Sequence, residues 1–94
     1  MENQDTAMDD TTLDQTLRAM ITGRLFLQAT PDELDADVPL METYGVDSVS
    51  LLELVVGLEE TFGITLDDGD FTVANFTTLA AIRDFVRQRL ARGP

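Results

Sequence analysis

A single serine stands where outside chemistry could reach it. Ser48 lies in Asp47-Ser48-Val49, between the turn-forming Tyr44-Gly45-Val46 and an apolar helical run over residues 51–62. That places a hydroxyl at the start of a helix, in a chain with no cysteine and no histidine. A serine becomes a nucleophile when an adjacent base takes its proton. This sequence offers neither a histidine nor a Gly-x-Ser-x-Gly elbow for hydrolase chemistry. Two readings remain. In one, Ser48 caps the helix, a role to which Asp47 and Ser50 are equally suited. In the other, a neighbour caps, and Ser48 projects outward as an attachment point for chemistry supplied by a separate enzyme. Ser50 and Glu53 have the spacing of a capping box, which would start the helix slightly later. A phosphoester at a helix N-terminus is favoured by the unpaired N–H groups and the dipole, even within an acidic domain.

The elements that must position this serine are helical. Asp10, Thr11 or Thr12 can cap a first helix, with Leu13, Leu17, Met20, Ile21 and Leu25 at helical spacing and Phe26-Leu27 at its end. Thr30-Pro31-Asp32-Glu33 is a helix-start signature, but the run stops by Val38-Pro39, so a short turn is expected. Residues 30–47 read as a long connection, pinned to the core by Leu34, Val38, Leu40, Met41 and Tyr44. A second helix covers about 48–62 and is closed by Gly63. Residues 71–75 form a short third helix. Thr77 or Thr78 caps a fourth, whose Leu79, Ile82, Phe85, Val86 and Leu90 make one apolar stripe. Its arginines fall in the later turns, where cations favour the helix dipole. The expectation is an all-α four-helix bundle, three helices longer and one short, with a long loop between the first and second. Residues 1–9 are expected to be a mobile acidic tail, 10–91 the folded domain and 92–94 its C-terminal end.

The second helix carries one apolar face too many. With Val49 at zero and about 100° per residue, Leu51, Leu54, Val55, Leu58 and Phe62 gather at about 140–240°, a core-facing stripe. Val49, Leu52 and Val56 fall on the opposite side, with Glu53, Glu59 and Glu60 among and beside them. Leaving three branched aliphatics in water forgoes roughly 1.5–3 kcal/mol each. Either the long loop, with Tyr44, covers this side, or it docks partners that offer an apolar pocket bordered by arginine or lysine.

Composition narrows the partners. The formal net charge is −12 and there is no lysine. Between Asp32 and Asp70 the chain has twelve acidic residues and no basic one, so this segment carries the whole excess. Such a field steers basic partners towards Ser48 and disfavours nucleic acid and anionic membranes. Acidity also keeps a small protein in solution, which is the blander account. Zero cysteine and histidine remove thiol chemistry and metal sites built on nitrogen or sulfur ligands. Asp67, Asp68 and Asp70 lack the spacing of a calcium loop. No apolar stretch approaches the roughly 20 residues that span a bilayer. Met1-Glu2-Asn3-Gln4-Asp5 has no apolar core, so no secretory leader is expected, and a cytoplasmic monomer is the default.

At residues 40–62, with Asp47-Ser48-Val49 at the centre and Leu58-Glu59-Glu60-Thr61-Phe62 at the end, the chain resembles the acyl carrier protein family. The broader resemblance spans about residues 10–91. It implies a non-catalytic carrier: a separate Mg²⁺-dependent phosphopantetheinyl transferase attaches 4′-phosphopantetheine from coenzyme A to Ser48. The arm's terminal thiol then holds an acyl group as a thioester. By position, Asp47 supports transferase recognition. Val49, Leu52, Glu53, Val56, Glu59 and Glu60 contact acyl-loading and acyl-processing enzymes with basic docking patches. Peptidyl carriers usually show Gly-Gly-x-Ser; here Val46 takes the second glycine position and Asp47 precedes the serine, favouring the acyl branch. The absent lysine, the Tyr44-Gly45-Val46 turn and the long tail lean towards a free-standing carrier in a polyketide-like pathway. A free-standing aminoacyl carrier, or an unmodified acidic helical adaptor, are the alternatives.

Overall fold

A computed structural model describes residues 9–92, and their regular secondary structure is helical throughout. Helix α1 spans Asp10–Arg24. Its cap is Asp9, not any of residues 10–12: the Asp9 carboxylate accepts the Thr12 N–H at 2.8 Å. Asp9 is extended while Asp10 is already helical, so the three expected caps fall inside the first turn. The expectation of a tail therefore reaches residues 1–8, which lie outside the described residues, as do 93–94. Leu13, Leu17 and Ile21 are fully buried. The helix ends one residue before Leu25, because Phe26 is left-handed at φ 54° and turns the chain away. Phe26 and Leu27 thus follow the helix instead of ending it.

The connection to the next long helix is ordered by a few polar contacts. Pro31–Glu33 form the expected short turn, with Glu33 accepting the Thr30 N–H at 2.8 Å. Arg18 reaches from α1 and donates to the carbonyls of Pro31 and Leu34 at 3.0 and 2.6 Å. Leu34 and Leu40 are buried, whereas Met41 is half exposed. A short helix that periodicity did not show, α2, covers Leu40–Tyr44 and stops at Gly45 with φ 70°. Five residues are too few to repeat an apolar pattern. Its start is held from outside, by the Leu40 N–H on the Thr77 carbonyl at 2.9 Å.

Helix α3 spans Ser48–Phe62 and ends at Gly63, φ 68°. Gly57 faces α1 at close range: a Cβ there would lie 2.6 Å from Met20 Sδ and 2.7 Å from Arg24 Cδ. Helix α4, Val73–Phe76, is capped by Thr72 and matches the short third helix expected near 71–75. Helix α5, Leu79–Arg92, starts at Thr78, whose hydroxyl accepts the Ala81 N–H at 3.0 Å. Leu79, Ile82, Phe85 and Val86 join the α1 and α3 stripes in one core. The three longer helices and the short one are the bundle the periodicity implies, with α2 added in the loop.

The arginines of α5 do more than face a dipole. Arg83 meets Asp14 of α1 at 2.9 Å and Arg87 meets Asp10 at 3.0 Å. Arg89 meets Asp70 at 2.7 Å, donates to the Thr65 carbonyl and lies 5.0 Å from the Phe85 ring centre. Each therefore ties α5 to another part of the chain.

Candidate functional site

The start of α3 resolves which residue caps it. Asp47 is extended (φ −108°, ψ −174°), and its Oδ1 accepts the Ser50 N–H at 2.8 Å. That hydrogen bond, with further backbone donors at the helix start, holds the Asp47 carboxyl below the ordinary carboxylate range. Ser50 therefore sits inside the first turn and the Ser50–Glu53 capping box does not form. Ser48 is the first helical residue. Its side chain is exposed, and its hydroxyl makes no hydrogen bond to any described residue.

The residues around it settle the two-faced helix. Val49, Leu52 and Val56 are 74%, 59% and 41% exposed, while Leu54 and Leu58, on the opposite face, are fully buried. Tyr44 does not cover them; its hydroxyl accepts the Asp35 N–H at 2.8 Å. The three glutamates are less free than their sequence positions imply. Arg24, at the end of α1, donates to Glu53 Oε2 at 3.1 Å and to Glu60 Oε1. Glu59 Oε2 accepts the Leu66 N–H at 2.9 Å. Periodicity could not show these contacts, because Arg24 and Leu66 come from other elements.

A cavity of about 360 Å³ opens at Leu51, one helical turn along α3 from the serine, and is also lined by Met41, Phe71, Val73, Phe76 and Thr77. Sequence reasoning missed it. Phe71 and Val73 both follow an acidic turn, and nothing in their spacing says that α2 will stand opposite. Asp70, in that turn, is engaged by Arg89 and by the Asp67 N–H. No described helix is long and apolar enough to cross a membrane.

An exposed, unpartnered hydroxyl at the head of a 15-residue helix fits a covalent phosphoester. The bundle presents this serine on the same helix as an exposed apolar strip, one turn from an apolar cavity. Comparison with known proteins agrees. The family described as the phosphopantetheine attachment site matches residues 15–86. The chain is 34% identical over 74 residues to the anthracycline acyl carrier protein DauA of Streptomyces sp. (strain C5), covering 79% of this chain and 86% of that one. It is 41% identical over 66 residues to the polyketide synthase ThaG of Burkholderia thailandensis, covering 70% of this chain but spanning only 1% of that synthase's length. Its fold matches a solution structure of a holo acyl carrier protein from Nitrosomonas europaea with TM-score 0.74 and 26% identity, covering 89% and 99% of the two chains. The chain belongs to the phosphopantetheine-attachment family, as a carrier of the acyl type, and its prosthetic group is covalent 4′-phosphopantetheine. Carriers of this family are in general not catalysts.

Proposed function

We propose that Ser48 is the attachment point and that the chain presents acyl thioesters to successive biosynthetic enzymes. The observation that carries this is the division of labour at the start of α3: Asp47 takes the capping bond, so the Ser48 hydroxyl stays exposed and unpartnered. In the loading step Ser48 Oγ attacks the phosphorus of coenzyme A that bears the pantetheine. The phosphoanhydride bond breaks, and adenosine 3′,5′-bisphosphate leaves. The Ser48 proton passes to a base of a Mg²⁺-dependent phosphopantetheinyl transferase, because the chain has no histidine to accept it. Asp47 holds the helix start so that Oγ faces the incoming enzyme. When attached, the arm supplies the thiol that the polypeptide lacks and keeps its cargo at high effective concentration near each enzyme.

Docking uses the strip of Val49, Leu52 and Val56, with Glu53, Glu59 and Glu60 meeting partner arginines or lysines. The acyl-loading and acyl-processing enzymes select the group; the cavity by Leu51 and Phe71 offers an apolar chain partial shelter. The likeness to DauA and ThaG supports a polyketide-like pathway. The carrier is proposed to act as a monomer in the cytoplasm. The decisive experiment is intact mass after incubation with a broad-specificity phosphopantetheinyl transferase and coenzyme A. One phosphopantetheinyl mass is gained by the native chain and none by Ser48→Ala. A native chain that gains nothing is instead an acidic adaptor, and a Ser48→Ala chain that still gains the mass is modified elsewhere.

A further inference from the structure

Two of the three glutamates assigned to docking are already held by a cation from within the chain. Arg24 is the last residue of α1, where the helix dipole favours a positive charge. Its stem lies over Gly57, where a Cβ would come within 2.7 Å of Arg24 Cδ. From there the guanidinium forks, one nitrogen to Glu53 at 3.1 Å and the other to Glu60, seven residues further along α3. Glu59, between them in sequence, accepts a backbone N–H and has no cationic partner among the described residues. The side chains of Glu53 and Glu60 are 48% and 62% exposed, so solvent and an incoming partner both reach them.

We propose that Arg24 is a built-in competitor for the docking carboxylates and so sets which partners the carrier accepts. The inference rests on the docking reading above. A partner arginine arriving at Glu53 or Glu60 must displace Arg24 or share its carboxylates, so those contacts contribute less than free glutamates would. Partners that rely on Glu59 and on the Val49, Leu52 and Val56 strip escape the competition. Arg24 therefore weights recognition towards shape and apolar fit over charge.

The test uses the full chain and a broad-specificity phosphopantetheinyl transferase as probe, reading the KM for the unmodified carrier separately from the maximal rate. Arg24→Gln is expected to lower KM about two- to fivefold at low salt, the range an exposed ion pair commands, with the maximal rate unchanged. The gain should fade at high salt. Glu53→Gln and Glu60→Gln should each raise KM, and with both in place Arg24→Gln should have no effect on it. Arg87→Gln makes the same change in net charge away from α3 and should leave KM unmoved; an equal gain there would mean a long-range field and overturn the proposal. Gly57→Ala displaces the Arg24 stem with no change in charge and should also lower KM, with helicity checked by circular dichroism. If the glutamate variants raise KM but Arg24→Gln leaves it unchanged or raises it, the docking reading stands and the competitor fails. If the glutamate variants change nothing, the docking reading fails and takes this proposal with it.

Discussion

Asp47 and Ser48 are adjacent and have opposite tasks, and the difference is a matter of one hydrogen bond. Because Asp47 Oδ1 holds the Ser50 N–H, Ser48 occupies the first helical position, where its hydroxyl has no structural duty. Ser48→Ala should therefore melt at the same temperature as the native chain while losing all modification. Asp47→Ala should melt lower, through loss of the cap. The pH dependence has a definite sign. The Asp47 carboxyl is depressed in the folded state by the Ser50 N–H, so its contribution is complete above the unfolded value near pH ~4 and is lost as pH falls through the folded one. Asparagine also caps but does not titrate, so Asp47→Asn should be slightly less stable than the native chain at pH 7, with the gap closing in acid. Thermal melts over a pH series check this; a gap that persists unchanged in acid would remove the carboxylate from the account.

Helix α3 has a buried face and an exposed apolar face, the first assigned to folding and the second, in the proposed docking, to recognition. Leu54 is fully buried and Leu52, two residues earlier, is 59% exposed. Leu54→Ala should cost about 2–5 kcal/mol in denaturant unfolding, as core truncations do. Val56→Asp should cost about 1 kcal/mol or less, as a polar substitution on a helix surface. It should nevertheless weaken transferase and partner association severalfold, since it puts a charge into the apolar strip. A Val56→Asp chain that unfolds would place Val56 in the core instead. Glu53 belongs to neither class: the side chain proposed to meet partners also ties α3 to α1 through Arg24, so its substitution reports on both.

Across the whole molecule, charge is arranged by where the arginines are used. Each of the five arginines whose side chains are described holds a carboxylate: Arg18 and Arg83 on Asp14, Arg24 on Glu53 and Glu60, Arg87 on Asp10 and Asp84, Arg89 on Asp70. The helical frame is thereby neutralised, and most of the excess negative charge stays on the segment around Ser48. Asp14 is the hub between α1 and α5. Partial burial pushes its carboxyl up, but hydrogen bonds and charge from Arg18 and Arg83 together outweigh that and hold it low. Its contribution is accordingly present above the unfolded carboxylate value and lost as pH falls through the folded one. Asp14→Asn should lower the melting temperature at neutral pH, with the deficit shrinking below about pH 4. A deficit of equal size at every pH would assign the loss to packing.

The long helices, the closing Gly63, the outward strip of Val49, Leu52 and Val56 and the suspect serine were all legible in the sequence. Each rests on local rules: helical periodicity, the left-handed preference of glycine and the chemistry of a residue type. Helix α2, the cap at Asp9, the cavity between Leu51 and Phe71, and the grip of Arg24 on Glu53 and Glu60 were not. They depend on segments distant in the chain meeting in space: Leu40 on the Thr77 carbonyl, or the end of α1 over Gly57. Asp9 is the exception, a local cap hidden only because four polar residues in a row could each have filled the place. Sequence alone determined that a hydroxyl would stand at the head of an acidic helix. It left open which residue caps that helix, a local choice that falls to Asp47. Tertiary structure decided that Arg24 shares its one charge between two neighbouring glutamates, because ion pairs form where side chains converge, whatever their separation along the chain.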